Sequence, residues 1–124
     1  MKKSNKVLST LVACCAIVNC MAISSSAATA FGFNLGTGGN STSYATKYNN
    51  TTYASVSITS GTLSNSGWMR LYVTKNSSTV SNSVTATSLG NYSIYYNPVV
   101  PSGSLGLRGE AGYYSVSAAG EWTP

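Results

Sequence analysis

Apolar and polar residues alternate most regularly along Trp68–Lys75, where Met69, Leu71 and Val73 fall on one side of an extended chain and Trp68, Arg70, Tyr72 and Thr74 on the other. A period of two predicts a half-buried β-strand. Because no other run is patterned so strongly, the sequence places this strand at the centre of the fold. One face feeds a core, and the other presents two aromatics flanking a guanidinium.

Weaker runs of the same period lie on either side. Phe31–Leu35 predicts a first strand, Gly36–Ser43 a loop and Tyr44–Thr52 an irregular edge. Tyr53–Thr59 resumes the alternation, with Ala54, Val56 and Ile58 on one side, and the Gly/Ser/Asn-rich stretch Gly61–Gly67 connects it to the central strand. Asn76-Ser77-Ser78 is turn-forming, so Thr79–Ser88 is expected to return as the second arm of a hairpin. Tyr92–Tyr96 puts Tyr92, Ile94 and Tyr96 on one face, and Pro98 and Pro101 bar the segment after it from a central strand. Leu105–Arg108 and Tyr113–Ala119 complete the count, separated by a glycine-flanked turn holding Glu110. About seven short strands at regular spacing, with no helical period outside the N-terminus, predict an all-β fold: a small antiparallel β-sandwich, Ig-like in size.

The first thirty residues stand apart from this pattern. Lys2, Lys3 and Lys6 precede the apolar run Val7–Ile23, and Ala28-Thr29-Ala30 supplies small residues suited to signal peptidase. The expected division is therefore a signal peptide over residues 1–30 and one secreted domain over residues 31–124. Cleavage after Ala28, lipidation at Cys14 within Leu11-Val12-Ala13-Cys14, and a membrane anchor are the weighed alternatives. The apolar run is short for a membrane span, and none is expected in the mature form.

Removing that segment changes the composition. All three cysteines, Cys14, Cys15 and Cys20, lie within it, so the domain has no disulfide and stands on packing alone. The net charge of +5 falls to +2, since Lys47, Arg70, Lys75 and Arg108 face only Glu110 and Glu121. Four scattered cations make no nucleic-acid footprint.

The domain also lacks His, Asp and Gln. Without His or Cys, the usual zinc and copper sites and the Ser-His and Cys-His nucleophiles are excluded, and two carboxylates are too few for a calcium cage. A glycosidase pair built from Glu110 and Glu121 is disfavoured, because both read as solvated surface charges. A Ser-Lys dyad through Lys47 or Lys75 would need a desolvated lysine, and both lie among polar residues that read as exposed. The expectation is a protein that is not an enzyme and takes no cofactor.

What remains is aromatic. Trp68, Arg70 and Tyr72 on one strand face are candidate ligand- or partner-binding residues, offering a platform for a sugar ring or a partner's side chain. The competing reading has them cover the sheet, with Arg70 stacked on a ring. Trp122 is weighed both as a contact residue and as a plug for the core. Tyr92, Tyr95, Tyr96, Tyr113 and Tyr114 read chiefly as cross-strand packing. Uncharged strands such as Tyr53–Thr59 add self-association to the expected behaviours.

Four segments carry a resemblance to a known family: Tyr53-Ala54-Ser55-Val56 leading to Thr59-Ser60-Gly61, Arg70-Leu71-Tyr72-Val73, Leu107-Arg108-Gly109, and Val116-Ser117 followed by Gly120-Glu121-Trp122-Thr123-Pro124. Over roughly residues 50–124 the chain resembles a family of small secreted proteins of Gram-positive bacteria, ending in Gly-x-Trp-x-Pro, that has no assigned function. Ala118-Ala119 interrupt the terminal match. The resemblance implies a secreted β domain and carries over no site residues. A looser likeness in size and architecture, to lactococcin-type β-sandwich bacteriocins, implies an antimicrobial alternative. The first expectation is binding at a cell surface, wall glycan or extracellular matrix, with a surface glycan or protein as partner.

Overall fold

A computed structural model describes residues 27–124. These form nine strands and no helix: β1 Thr29–Leu35, β2 Asn40–Lys47, β3 Tyr53–Gly61, β4 Met69–Lys75, β5 Ser78–Thr79, β6 Val84–Ala86, β7 Gly90–Tyr95, β8 Gly103–Ala111 and β9 Val116–Thr123. Every pairing is antiparallel. The first sheet runs β1-β9-β3-β7 and the second β2-β8-β4-β5, with β6 pairing beside β5 on β4. The two sheets pack in a sandwich-like arrangement around one core. Among the described residues no helix is long and apolar enough to cross a membrane.

The core is assembled by the alternation that the sequence displays. Met69, Leu71 and Val73 of β4, Ala54, Val56 and Ile58 of β3, and Leu105 and Leu107 of β8 are all buried. Phe33 of β1 crosses the core to β8, where a Cβ on Gly109 would lie 2.7 Å from its ring. Trp122 of β9 is 1% exposed, and its indole nitrogen donates to Ser43 Oγ of β2 at 3.2 Å, joining the two sheets. β4 is an interior strand, flanked by β8 on one side and by β5 and β6 on the other.

Four expectations about strands are corrected. Asn40–Lys47 is a strand, because Gly36–Ser43 is a loop only as far as Gly39 and thereafter pairs along β8, from Asn40↔Glu110 to Lys47↔Gly103. Thr79–Ser88 is two short pieces, β5 and β6, separated where Ser81 Oγ accepts from Val73 N at 2.8 Å in place of a ladder bond. Gly109–Gly112 is no turn. β8 continues to Ala111 because both its edges are occupied, Glu110 facing Asn40 on one side and Arg70 on the other. The last strand begins at Val116, which leaves Tyr113 and Tyr114 in the preceding loop, both exposed. These changes account for nine strands in place of about seven.

The expected signal peptide and the lipidation alternative at Cys14 fall on residues 1–26, outside the described residues. Thr29 and Ala30, however, belong to β1, opposite Trp122 and Glu121 of β9. A domain beginning at Phe31 would lack these two pairs; one beginning after Ala28 keeps both.

Candidate binding face on the second sheet

The outer face of the second sheet is set out by the pairing of β4 with β8. Arg70 lies opposite Glu110, Tyr72 opposite Arg108, and Thr74 opposite Gly106. Since side chains of period two share a face, Arg70, Tyr72 and Thr74 stand beside Gly106, Arg108 and Glu110 on the solvent side. β2 extends the rows with Thr42 opposite Arg108 and Tyr44 opposite Gly106.

Glu110 is the hub of this face. Arg70 Nη2 donates to its Oε1 at 2.6 Å, the Tyr72 hydroxyl to its Oε2 at 2.6 Å, and Arg108 Nε to its Oε2 at 3.3 Å. Hydrogen bonds from Tyr72, then Arg70 and Arg108, outweigh partial desolvation and hold the carboxyl down at about 2. The same bonds raise both arginines above their usual value, and burial followed by the Glu110 bond raises Tyr72. At neutral pH the cluster carries two positive charges and one negative.

An aromatic ring lies at each end of the face, one over Gly112 just past β8 and one against Gly106 within it. A Cβ on Gly112 would sit 2.5 Å from Trp68 Cζ2 and 2.8 Å from Cε2, so the indole occupies the space a side chain would need. Trp68 is half-buried, just ahead of β4, in an apolar dish of about 410 Å³ shared with Thr37, Gly38 and the exposed Tyr113. At the other end, a Cβ on Gly106 would meet Tyr44 Cε1 at 3.2 Å and Thr42 Cγ2 at 2.7 Å. Tyr44 remains 70% exposed. The two glycines are six positions apart, about 20 Å of extended chain.

Of the residues singled out from sequence, Arg70 and Tyr72 meet in one hydrogen-bonded cluster. Trp68 lies one row beyond them on the same face. Trp122, weighed as a contact residue and as a plug for the core, faces inward and is buried between the sheets. Arg70 pairs with a carboxylate instead of stacking on a ring. Sequence reasoning missed Arg108, Glu110 and Tyr44. The available signal was that Arg108 and Glu110 are two apart, as are Arg70 and Tyr72, a match hidden when Gly109 and Gly112 were read as a turn.

Lys47 is also corrected. It is buried at the end of β2, with Nζ 2.7 Å from Asn49 Oδ1, 2.8 Å from Thr51 Oγ1 and 3.4 Å from the Pro124 carbonyl oxygen, and 5.0 Å from the centre of the Tyr96 ring. Burial lowers its pKa. Its ammonium thus ties the end of the chain to β2, and no serine is among these partners to complete a dyad. On the first sheet, Tyr53 and Tyr95 form an exposed cross-strand pair with ring centres 5.4 Å apart, and Tyr92 is half-buried with its hydroxyl donating to Ser88 O.

Models of known protein families give no match to this chain, and neither do the curated proteins.

Proposed function

We propose that this chain is an exported, non-enzymatic binding domain that holds an extended glycan of a cell surface or wall along the outer face of its second sheet. The observation that carries the reading is the pair of rings, Trp68 over Gly112 and Tyr44 against Gly106, at the two ends of one row of hydrogen-bonding side chains. Flat aromatic surfaces suit the apolar faces of sugar rings, and the arginines, tyrosines and threonines between them suit the hydroxyls. Gly112 lets the Trp68 ring lie close to the sheet, so that ring has little side-chain freedom left to lose on binding.

The interior of the face supports binding over catalysis. Its one carboxylate is committed to three donors and held well below the range of a general acid at neutral pH. The second glutamate of the domain, Glu121, lies on β9 in the other sheet, so the two form no pair across a scissile bond. Export follows from the basic and apolar character of the N-terminal segment.

The test is retention on insoluble wall and matrix polysaccharides, comparing the unaltered chain with Trp68→Ala and Tyr44→Ala. Retention lost in both variants, with melting unchanged, supports the reading. Equal retention of all three proteins, or none on any polysaccharide, overturns it.

A further inference from the structure

The face is divided into two depressions that share a ridge. The first, about 630 Å³, is lined by Arg70, Tyr72, Thr79, Ser81, Asn82 and Ser83. The second, about 280 Å³, lies around Arg108 with Thr42, Tyr44, Ser77 and Thr79, and Tyr72 borders it as well. Tyr72 and Thr79 therefore form the ridge, and each depression receives one guanidinium.

Each depression holds a guanidinium as its charged group. Neither is lined by a carboxylate. Glu110 engages Arg70 through one Nη and Arg108 through Nε. Each guanidinium carries five N–H groups in a fixed fork, so this anchoring orients the plane and leaves further donors for a second acceptor. In the first depression the Asn82 carboxamide oxygen accepts from Asn97 at 3.1 Å. The Ser81 hydroxyl is fully used, donating to Asn82 O and accepting from Val73 N, which leaves Thr79 and Ser83 as the hydroxyls for a ligand. With two guanidiniums to one carboxylate, the face keeps a net positive charge, and Glu121 on the other sheet does not offset it.

We infer that the ligand is an anionic linear glycan, with one carboxylate or phosphate group taken by Arg70 in the first depression and a second by Arg108 in the other. The inference rests on the glycan reading of this face and narrows it to acidic polymers. Arg70 and Arg108 are diagonal neighbours on paired strands, about 7–8 Å apart, so two acidic groups of one chain reach both without bending it sharply. Two weak sites on one strand of ligand reinforce each other, and a single acidic sugar gains neither the second charge nor the aromatic ends.

The experiment measures binding of the full chain to polygalacturonate, to the same polymer fully methyl-esterified, to a linear poly(hexosyl phosphate) and to galacturonate monomer. The expected result is binding to polygalacturonate or the poly(hexosyl phosphate) at least ten-fold tighter than to the ester. Affinity should fall as salt rises, Arg70→Gln and Arg108→Gln should each weaken it several-fold, and the monomer should bind at least a hundred-fold more weakly. Preference for the carboxylate or the phosphate polymer identifies the source of the anion. If the ester binds as tightly as the acid, the anionic inference is overturned and the glycan reading stands. If no acidic or neutral polysaccharide binds, both fall. The comparison of acid with ester uses the unaltered chain, so it decides the matter even where an arginine variant does not fold.

Discussion

The indole of Trp68 lies over Gly112, in the space that any Cβ at that position would occupy. One residue of the central-strand segment is thus held by the absence of a side chain on its neighbour. Gly112→Ala should displace the ring, lower stability by about 1–3 kcal/mol as overpacked sites do, and weaken glycan binding as far as Trp68→Ala does. Thermal melting and polysaccharide retention of the two variants check this together. Retention unchanged in Gly112→Ala would separate the ring's position from binding.

Glu110 sets the acid limb of stability. Its carboxyl sits at about 2 in the fold against 4.5 when unfolded, so the unfolded chain binds the proton first as pH falls. The contribution is fully present above about pH 4.5 and is lost progressively toward pH 2. Because the group is partly exposed, solvent screening reduces it to about 1–2 kcal/mol. Glu110→Gln should flatten the decline between pH 5 and 2 in urea-melt titrations, and an unchanged slope would contradict the assigned network.

Trp122 and Ser43 join the sheets through the core. Trp122→Ala should cost about 3–5 kcal/mol, in keeping with loss of a large buried aromatic. Ser43→Ala removes a single hydrogen bond and should cost about 1 kcal/mol. Truncation after Ala119, which removes Trp122 with the end of β9, should abolish cooperative melting. Unchanged melting of the truncated chain would remove Trp122 from the core.

Lys47 sets the alkaline limb with the opposite group. Burial lowers its folded pKa below 10.5, so in the window between the folded value and 10.5 the unfolded chain binds more protons. Stability from this residue therefore rises with pH through that window. Lys47→Met should abolish the rise, measured as chemical-denaturation midpoints from pH 7 to 10.5. A midpoint that moves with pH identically in both proteins would count against a buried ammonium.

Most of the fold was legible because burial here follows a strict period of two. Met69, Leu71 and Val73, and Ala54, Val56 and Ile58, read correctly from spacing alone and lie in the core. Strands with a weak apolar signal were not legible. β2, Asn40–Lys47, carries no large aliphatic residue and is specified by eight pairings to β8, which only tertiary structure supplies. Glycine misled the reading twice, within β8 and just past it: Gly109 makes room for Phe33 across the core and Gly112 for Trp68, yet both resemble turn residues in isolation. The same error hid half of the candidate site. Arg70 and Tyr72 were placed by periodicity, whereas their partners Glu110 and Arg108 became visible only when β8 was seen to run past Arg108 alongside β4.

The outer face of the second sheet, and no other surface, should hold the glycan. The most direct measurement is polysaccharide retention of a Trp68→Ala/Tyr44→Ala double variant beside a Tyr53→Ala/Tyr95→Ala variant, which removes the exposed ring pair of the opposite sheet. The first should lose retention while keeping its melting transition, and the second should be retained in full. Retention lost only in the Tyr53→Ala/Tyr95→Ala protein would contradict it and move the site to the first sheet.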